Sequence, residues 1–118
     1  MFGQKDKVAL FVDGSNFFES VKEVGLRIDY QKVYDFFARR ETVFRAHYFS
    51  AVKPNSPEKD DDIRPLLDWL SYHNWDVITK PVKVFINRET GEQEIKGNMD
   101  VEIATEMILL KDHVNHMV

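Results

Sequence analysis

The amino-acid sequence predicts an α/β fold of three layers, with helices on both faces of a central, mainly parallel sheet. Two observations predict this class. Short apolar segments typical of strands alternate along the chain with segments of helical periodicity. The first strand is a run of apolar residues without alternation, 8–12, which is typical of a strand covered on both faces. We therefore expect βαβ units with right-handed crossovers.

Two helices and a second strand are predicted next. The first helix spans 15–24 and ends at Gly25. The second helix begins near Asp29, a suitable cap, and carries two arginines, 39–40, in its last turn. Its predicted buried stripe contains Ile28, Val33, Phe36 and Phe37. Residues 42–52, which are rich in β-branched and aromatic side chains, predict the second strand.

The middle of the chain predicts a helix, a strand and a hairpin. The helix opens at the aspartates 60–62 and tolerates Pro65 because that residue lies in the first turn. Its predicted buried face contains Ile63, Leu66, Leu67 and Leu70. A third strand is predicted over 75–80, and an antiparallel hairpin inserted beside the sheet joins 82–86 to 94–96.

The last predicted helix runs from Met99 to about Lys111. Its broad apolar face is predicted to contain Val101, Ile103, Ala104, Met107, Ile108 and Leu110. Residues 113–118 look like the approach to a further strand. Because a helix packed on a sheet normally returns the chain into it, we expect residues 1–118 to be a single domain that continues in a longer native protein.

Composition restricts the class of protein. A chain of 118 residues with 43% hydrophobic content is one globular domain. No segment approaches the roughly 18 apolar residues of a membrane helix, and the N-terminus lacks a signal-peptide pattern, so we expect a cytoplasmic protein without membrane contact. The absence of cysteine excludes disulfides and thiolate metal ligands. The net charge of −4 gives no overall attraction for nucleic acid, although bound cations can supply positive charge.

The first candidate site follows the first strand, where Asp13, Gly14, Ser15 and Asn16 stand in sequence. Ligands bind at the carboxyl edge of parallel sheets, where Asp13 would lie. Gly14 allows a sharp turn, Ser15 can cap a helix, and Asn16 adds an oxygen ligand or a hydrogen-bonding amide. This pattern predicts half of a metal or phosphate site. The alternative is ordinary turn chemistry, in which the carboxylate binds its own backbone.

The second candidate site lies at the start of the last helix, where Lys96 and Asn98 precede Asp100. A helix N-terminus beside a lysine suits a phosphate, and Asp100 can offer its carboxylate to a cation. The alternative is structural, because the helix dipole favours an acid in the first turn and Asn98 is a plain cap. If this helix leads to a strand beside the first, Asp13 and Asp100 lie at the same edge. The basic residues around the hairpin could contact RNA, but we favour a solvated surface. They are Lys80, Lys83, Arg88 and Lys96.

Two segments, residues 11–18 and residues 96–104, carry a resemblance to a known family. Their order and spacing closely resemble the NYN domain family (the LabA-like branch), part of the PIN-like nuclease superfamily. The resemblance runs along essentially the whole chain. It implies a Mg²⁺- or Mn²⁺-dependent ribonuclease that cuts RNA endonucleolytically.

The resemblance also implies roles for individual residues. Asp13 and Asp100 would be metal ligands in the catalytic site. Asn16 would orient the carboxylate of Asp13 or contact phosphate, while Lys96 and Ser15 would contact the substrate. These roles describe hard oxygen ligands around a hard cation, which suits phosphodiester hydrolysis.

The chain departs from the family pattern in one respect. Family members continue into a further strand that ends in a Ser-Gly-Asp-x-Asp-like motif with the remaining metal ligands, and we expect the longer native protein to supply it. With only two of these acids present, residues 1–118 alone are expected to bind divalent cations weakly and to have little activity. Glu106 is not assigned to the site, because it points to a different helix face from Asp100. A homo-oligomer is compatible with the sequence.

Two other functions compete with the nuclease interpretation. One is a non-catalytic domain of the same fold that binds RNA or protein. The other is a phosphohydrolase with Asp13 as nucleophile, which ranks last because the position of its second acid holds Ser15.

Overall fold

A computed structural model describes residues 5–14, 28–52, 63–96 and 98–118, with the backbone alone for residues 83–85 and 93–96. The elements in chain order are β1 (Lys7–Asp13), α1 (Tyr30–Ala38), β2 (Thr42–Val52), α2 (Arg64–Tyr72), β3 (Asp76–Pro81), β4 (Lys83–Ile86), β5 (Gln93–Lys96), α3 (Asp100–Leu110) and β6 (His116–Met117). The predicted first helix, 15–24, and the predicted helix start at 60–62 lie outside the described residues.

The central sheet of the described part of the chain has four parallel strands in the order β3-β2-β1-β6. The apolar strand β1 lies inside it, with Val8, Ala9 and Leu10 buried. β4 and β5 form a separate antiparallel hairpin, as predicted. β6 pairs with β1 through Val8–His116 and Ala9–Met117, so the predicted approach to a further strand is confirmed as a short strand. The α/β fold class is confirmed.

One face of the sheet carries the main hydrophobic core. Alternation along β1 and β2 directs Val8, Leu10, Ala46 and Tyr48 to this face. The side chains that cover them come from α1, α2 and the turn before β3, namely Tyr30, Leu67, Leu70 and Trp75. The predicted buried face of α2 is therefore confirmed, with Ile63 and Leu66 packed at its margin. Aromatic edges fix this core, since the Tyr30 ring meets Tyr48 and Trp75 nearly perpendicularly.

Helix α1 is capped as predicted, and three residues of its predicted buried stripe, Ile28, Val33 and Phe37, pack against the core. The Lys32 amide N–H donates to the Asp29 carboxylate at 3.1 Å. Phe36, expected in the core, is 49% exposed. It lies beneath the guanidinium of Arg40, whose carbon is 3.9 Å from the ring centroid. Tyr30 takes the buried position because it begins the helix directly above Tyr48.

Helix α3 covers the opposite face of the sheet, which completes the three layers. The prediction that Val101, Ala104 and Ile108 lie on its buried face is wrong, since all three are exposed, Val101 and Ile108 by 73% and 66%. The residues that face inward are Glu102, Ile103, Glu106, Met107 and Leu110. None of the helices in the described part of the chain is long and apolar enough to cross a membrane.

Candidate functional site

Asp13 is the last residue of β1 and is half-buried. It pairs in register with Phe49 of β2, which is fully buried. Alternation along β1 places Asp13 on the same face as Phe11, whose ring contacts His47 and Phe49. This is the face that α3 covers. The strand therefore holds Asp13 at the carboxyl edge of the sheet. Its side chain lies on the face that is covered by α3, the helix that begins with Asp100.

Gly14 is required by a close approach rather than by a special backbone angle. A Cβ at this position would overlap the ring of Tyr48 and lie 2.6 Å from its hydroxyl oxygen. Tyr48 is fully buried in β2 and cannot move aside without disturbing the core. The chain can therefore leave β1 along this path only when residue 14 has no side chain.

Asp100 begins α3 and is exposed. Its amide N–H donates to the Asn98 Oδ1 at 2.7 Å, so Asn98 performs the predicted capping role although the backbone cap is Met99. Met99 is fully buried and anchors the start of the helix. The Asp100 carboxylate thus projects from a fixed turn into solvent.

An ion pair locates the first turn of α3 at the carboxyl edge of the sheet. Lys80, near the end of β3, donates from Nζ to the Glu102 Oε1 at 2.8 Å. The hydrogen bond from Lys80 lowers the pKa of Glu102. The interpretation of Lys80 as a solvated hairpin residue is therefore wrong, because its charge is used to fasten α3. Sequence offered no signal for this pair, whose members are 22 positions apart.

One turn further along α3, Glu106 faces a buried histidine. The Glu106 carboxylate lies 3.8 Å from His47 Nε2, and Asp76 lies 4.0 Å from Nδ1. Neither ring nitrogen of His47 has a hydrogen-bond partner among the described residues. Burial lowers the pKa of His47, while the two carboxylates act in the opposite direction. Glu106 thus points to a different face from Asp100, as expected, and contacts the sheet.

The predicted site residues fall into two groups. Asp13 and Asp100 stand at the ends of elements that meet the same edge of the sheet, because α3 runs from that edge to β6 at the other. Lys96 ends β5, and only its backbone is described. Ser15 and Asn16 lie outside the described residues.

Among the described side chains, three residues that could bind a metal ion lie close together at the amino ends of the strands, opposite the predicted site. Asp6, Glu41 and His116 bring one ligand atom each to within 4.8 Å of one another. His116 Nε2 is 3.2 Å from Asp6 and 3.4 Å from Glu41. These residues stand at the starts of β1, β2 and β6, so they fasten β6 and are separate from the predicted site.

The fold and its carboxylate-bearing edge define the class as an α/β domain with a parallel sheet and acidic residues at the carboxyl edge of that sheet. Residues 7–118 match the family model of the NYN domain. The chain belongs to the NYN domain family, which is generally nuclease-like and binds metal through carboxylates.

Two known proteins are similar to this chain. The Low amplitude and bright protein LabA of Synechococcus elongatus is 29% identical over 104 residues, covering 86% of this chain and 53% of LabA. The chain thus spans about half the length of that curated relative. A crystal structure of a Vibrio parahaemolyticus protein of unknown function superposes with a TM-score of 0.73 at 24% identity, over 99% of this chain and 67% of that one. This second similarity shows the fold.

The buried His47 predicts a pH dependence of stability. Because its pKa is lowered in the folded state, the unfolded chain binds a proton first as the pH falls below the ordinary histidine value, about 6.5. Folding stability should therefore be full above that pH and decline as the pH falls toward the lowered pKa.

We expect wild type to lose more free energy of unfolding between pH 7.5 and pH 5.5 than His47→Phe, measured by urea denaturation. His113→Phe changes an exposed position and should lose as much free energy of unfolding over this pH range as wild type does. Equal declines in wild type and His47→Phe would contradict the assignment.

Proposed function

We propose that this chain supplies two metal-binding carboxylates, Asp13 and Asp100, of a ribonuclease that hydrolyses phosphodiester bonds of RNA with Mg²⁺ or Mn²⁺. One observation carries the proposal. The carboxyl end of β1 and the first turn of α3 meet the same edge of the sheet, and the Lys80–Glu102 ion pair fixes that turn in place. Family membership supports the same chemistry.

The residues at this edge suit a hard divalent cation. Mg²⁺ is usually held by one or two carboxylates, and waters and substrate phosphates complete its coordination. Asp13 is half-buried on a rigid strand, whereas Asp100 is exposed and open to substrate. Asp13 and Asp100 would supply two of the ligands, and water and RNA phosphates would take further positions.

Each residue then has a distinct task. A bound cation would supply an activated water and neutralise charge on the phosphate. Asp13 and Asp100 would hold that cation, and the buried Met99 fixes the helix start from which Asp100 projects. Lys96, which ends β5, would contact the substrate phosphate. Asn16 would orient the Asp13 carboxylate, and Ser15 would contact the substrate.

Charge favours a metal-dependent mode of RNA binding. The chain has 16 basic and 20 acidic residues, so the net charge of −4 repels a phosphate backbone over long distances. A cation held between carboxylates reverses that sign locally. RNA binding at this edge should accordingly depend on the divalent ion as well as on the basic residues.

Cleavage of a labelled single-stranded RNA by the full-length protein tests the proposal. With Mn²⁺ or Mg²⁺ the protein should produce internal cuts, because the cation is required for the chemical step. EDTA should abolish the cuts, and excess Mn²⁺ should restore them. RNA binding without cleavage in either metal would sink the nuclease proposal and favour the non-catalytic alternative.

A further inference from the structure

Tyr48 lies directly beneath Gly14, the residue that follows the first carboxylate. Its side chain is fully buried in β2, and its ring occupies the space that a Cβ at Gly14 would need. Tyr30 meets the ring from the side, with centroids 5.4 Å apart and planes at 90°. The backbone at Gly14 therefore rests on a ring that is held inside the main core.

The same side chain is also close to Asp13 electrostatically. Burial raises the pKa of Tyr48, and the neighbouring Tyr30 and the Asp13 carboxylate raise it further. Tyr48 faces the main core, whereas Asp13 lies on the face that α3 covers, so the ring acts on the carboxylate through the backbone at residues 13–14.

We infer that Tyr48 is a positioning residue of the candidate metal site, because its ring sets the path by which the chain leaves β1 and so fixes where the Asp13 carboxylate is held. The inference rests on the proposed function. It explains why the turn after Asp13 begins with glycine. The Tyr48 side chain thus contacts both the hydrophobic core and the backbone at the carboxyl edge of the sheet.

A purely structural role for Tyr48 makes a different prediction. Loss of a buried ring from the core would then lower the melting temperature and leave the metal affinity of the folded protein unchanged. Tyr30 provides the matched control, since it is buried in the same core and meets Tyr48 but is not among the atoms nearest to a Cβ at Gly14.

The experiment measures Mn²⁺ affinity by calorimetry at a temperature where each variant is folded, together with melting temperatures. Gly14→Ala should weaken Mn²⁺ binding about tenfold or more, as expected when support of a metal ligand is lost. In the Tyr48→Leu background, where the overlap is relieved, the same substitution should weaken binding much less. Tyr48→Phe keeps the ring and should retain wild-type affinity. Tyr30→Leu should lower the melting temperature and keep the affinity.

The outcomes separate this inference from the proposed function. If wild type binds Mn²⁺ and the effects of Gly14→Ala and Tyr48→Leu on affinity are additive, the positioning role is overturned. It is also overturned if Tyr48→Leu keeps full affinity, as Tyr30→Leu should. If wild type binds no Mn²⁺, the metal function fails and the inference falls with it. Non-additive melting temperatures would then still reveal the contact between residues 14 and 48.

Discussion

Asp13→Asn is expected to reduce metal-dependent RNA cleavage by about 10²-fold or more, which exceeds the cost typical of a group that only orients a metal ligand. The amide has nearly the same shape as the carboxylate but lacks its charge, so a cation at the carboxyl edge loses a strong ligand. The fold should survive, since Asp13 stands at the end of β1 and outside the main core. Initial rates at saturating Mn²⁺, with circular dichroism as the check on folding, measure the effect.

Asp112→Asn provides the matched control for this substitution. Asp112 is an exposed aspartate that follows α3, near the opposite edge of the sheet. The control changes the net charge by the same amount as Asp13→Asn, so general electrostatic effects on RNA binding should be equal. Cleavage should remain at the wild-type rate in Asp112→Asn. Undiminished cleavage by Asp13→Asn would remove Asp13 from the site.

Local pattern was enough to predict most elements of the fold. The predicted second strand, Thr42–Val52, has the observed bounds, because a run of β-branched and aromatic residues is flanked by clear breaks. The hairpin follows in the same way from two short strands around a turn at Gly91, whose φ is 71°. The parallel order follows from an apolar run at β1 together with intervening helices.

The orientation of α3 could not be predicted from periodicity. Apolar residues occur on both sides of this helix, so hydrophobicity alone does not select an inward face. Two acids select it instead: Glu102 faces Lys80, and Glu106 faces His47. Their partners lie on strands far away in sequence, and such contacts exist only after the sheet has formed.

The sequence pattern suggested the two carboxylates of the candidate site, but not the residues that support them. Asp13 and Asp100 stand out because acids follow a buried strand and begin a helix. The reason for Gly14 was not visible in the sequence, which indicates only conformational freedom. The structure assigns it to the space that Tyr48 occupies, 34 positions later in the chain. Steric requirements between distant residues leave no local pattern.

Leu70→Ala is expected to destabilise the protein by about 2–5 kcal/mol, the range for removing a fully buried leucine when the cavity cannot collapse. Leu70 has no exposed surface and packs from α2 into the core that contains Tyr48 and Trp75. Its backbone carbonyl also accepts the amide N–H of Trp75 at 3.1 Å, so the end of α2 is bonded to the chain entering β3. Urea denaturation at pH 7.5 measures the loss.

Tyr72→Ala is the control on the same helix, because Tyr72 is 85% exposed and its loss should change stability by no more than about 0.5 kcal/mol. A small effect of Leu70→Ala would mean that α2 does not hold the core closed. Since that core includes the Tyr48 ring beneath Gly14, Leu70→Ala should also weaken Mn²⁺ binding at temperatures where unfolding begins. At lower temperatures, where the variant is folded, binding should return to the wild-type affinity, because Leu70 supports the ring only through the stability of the whole core.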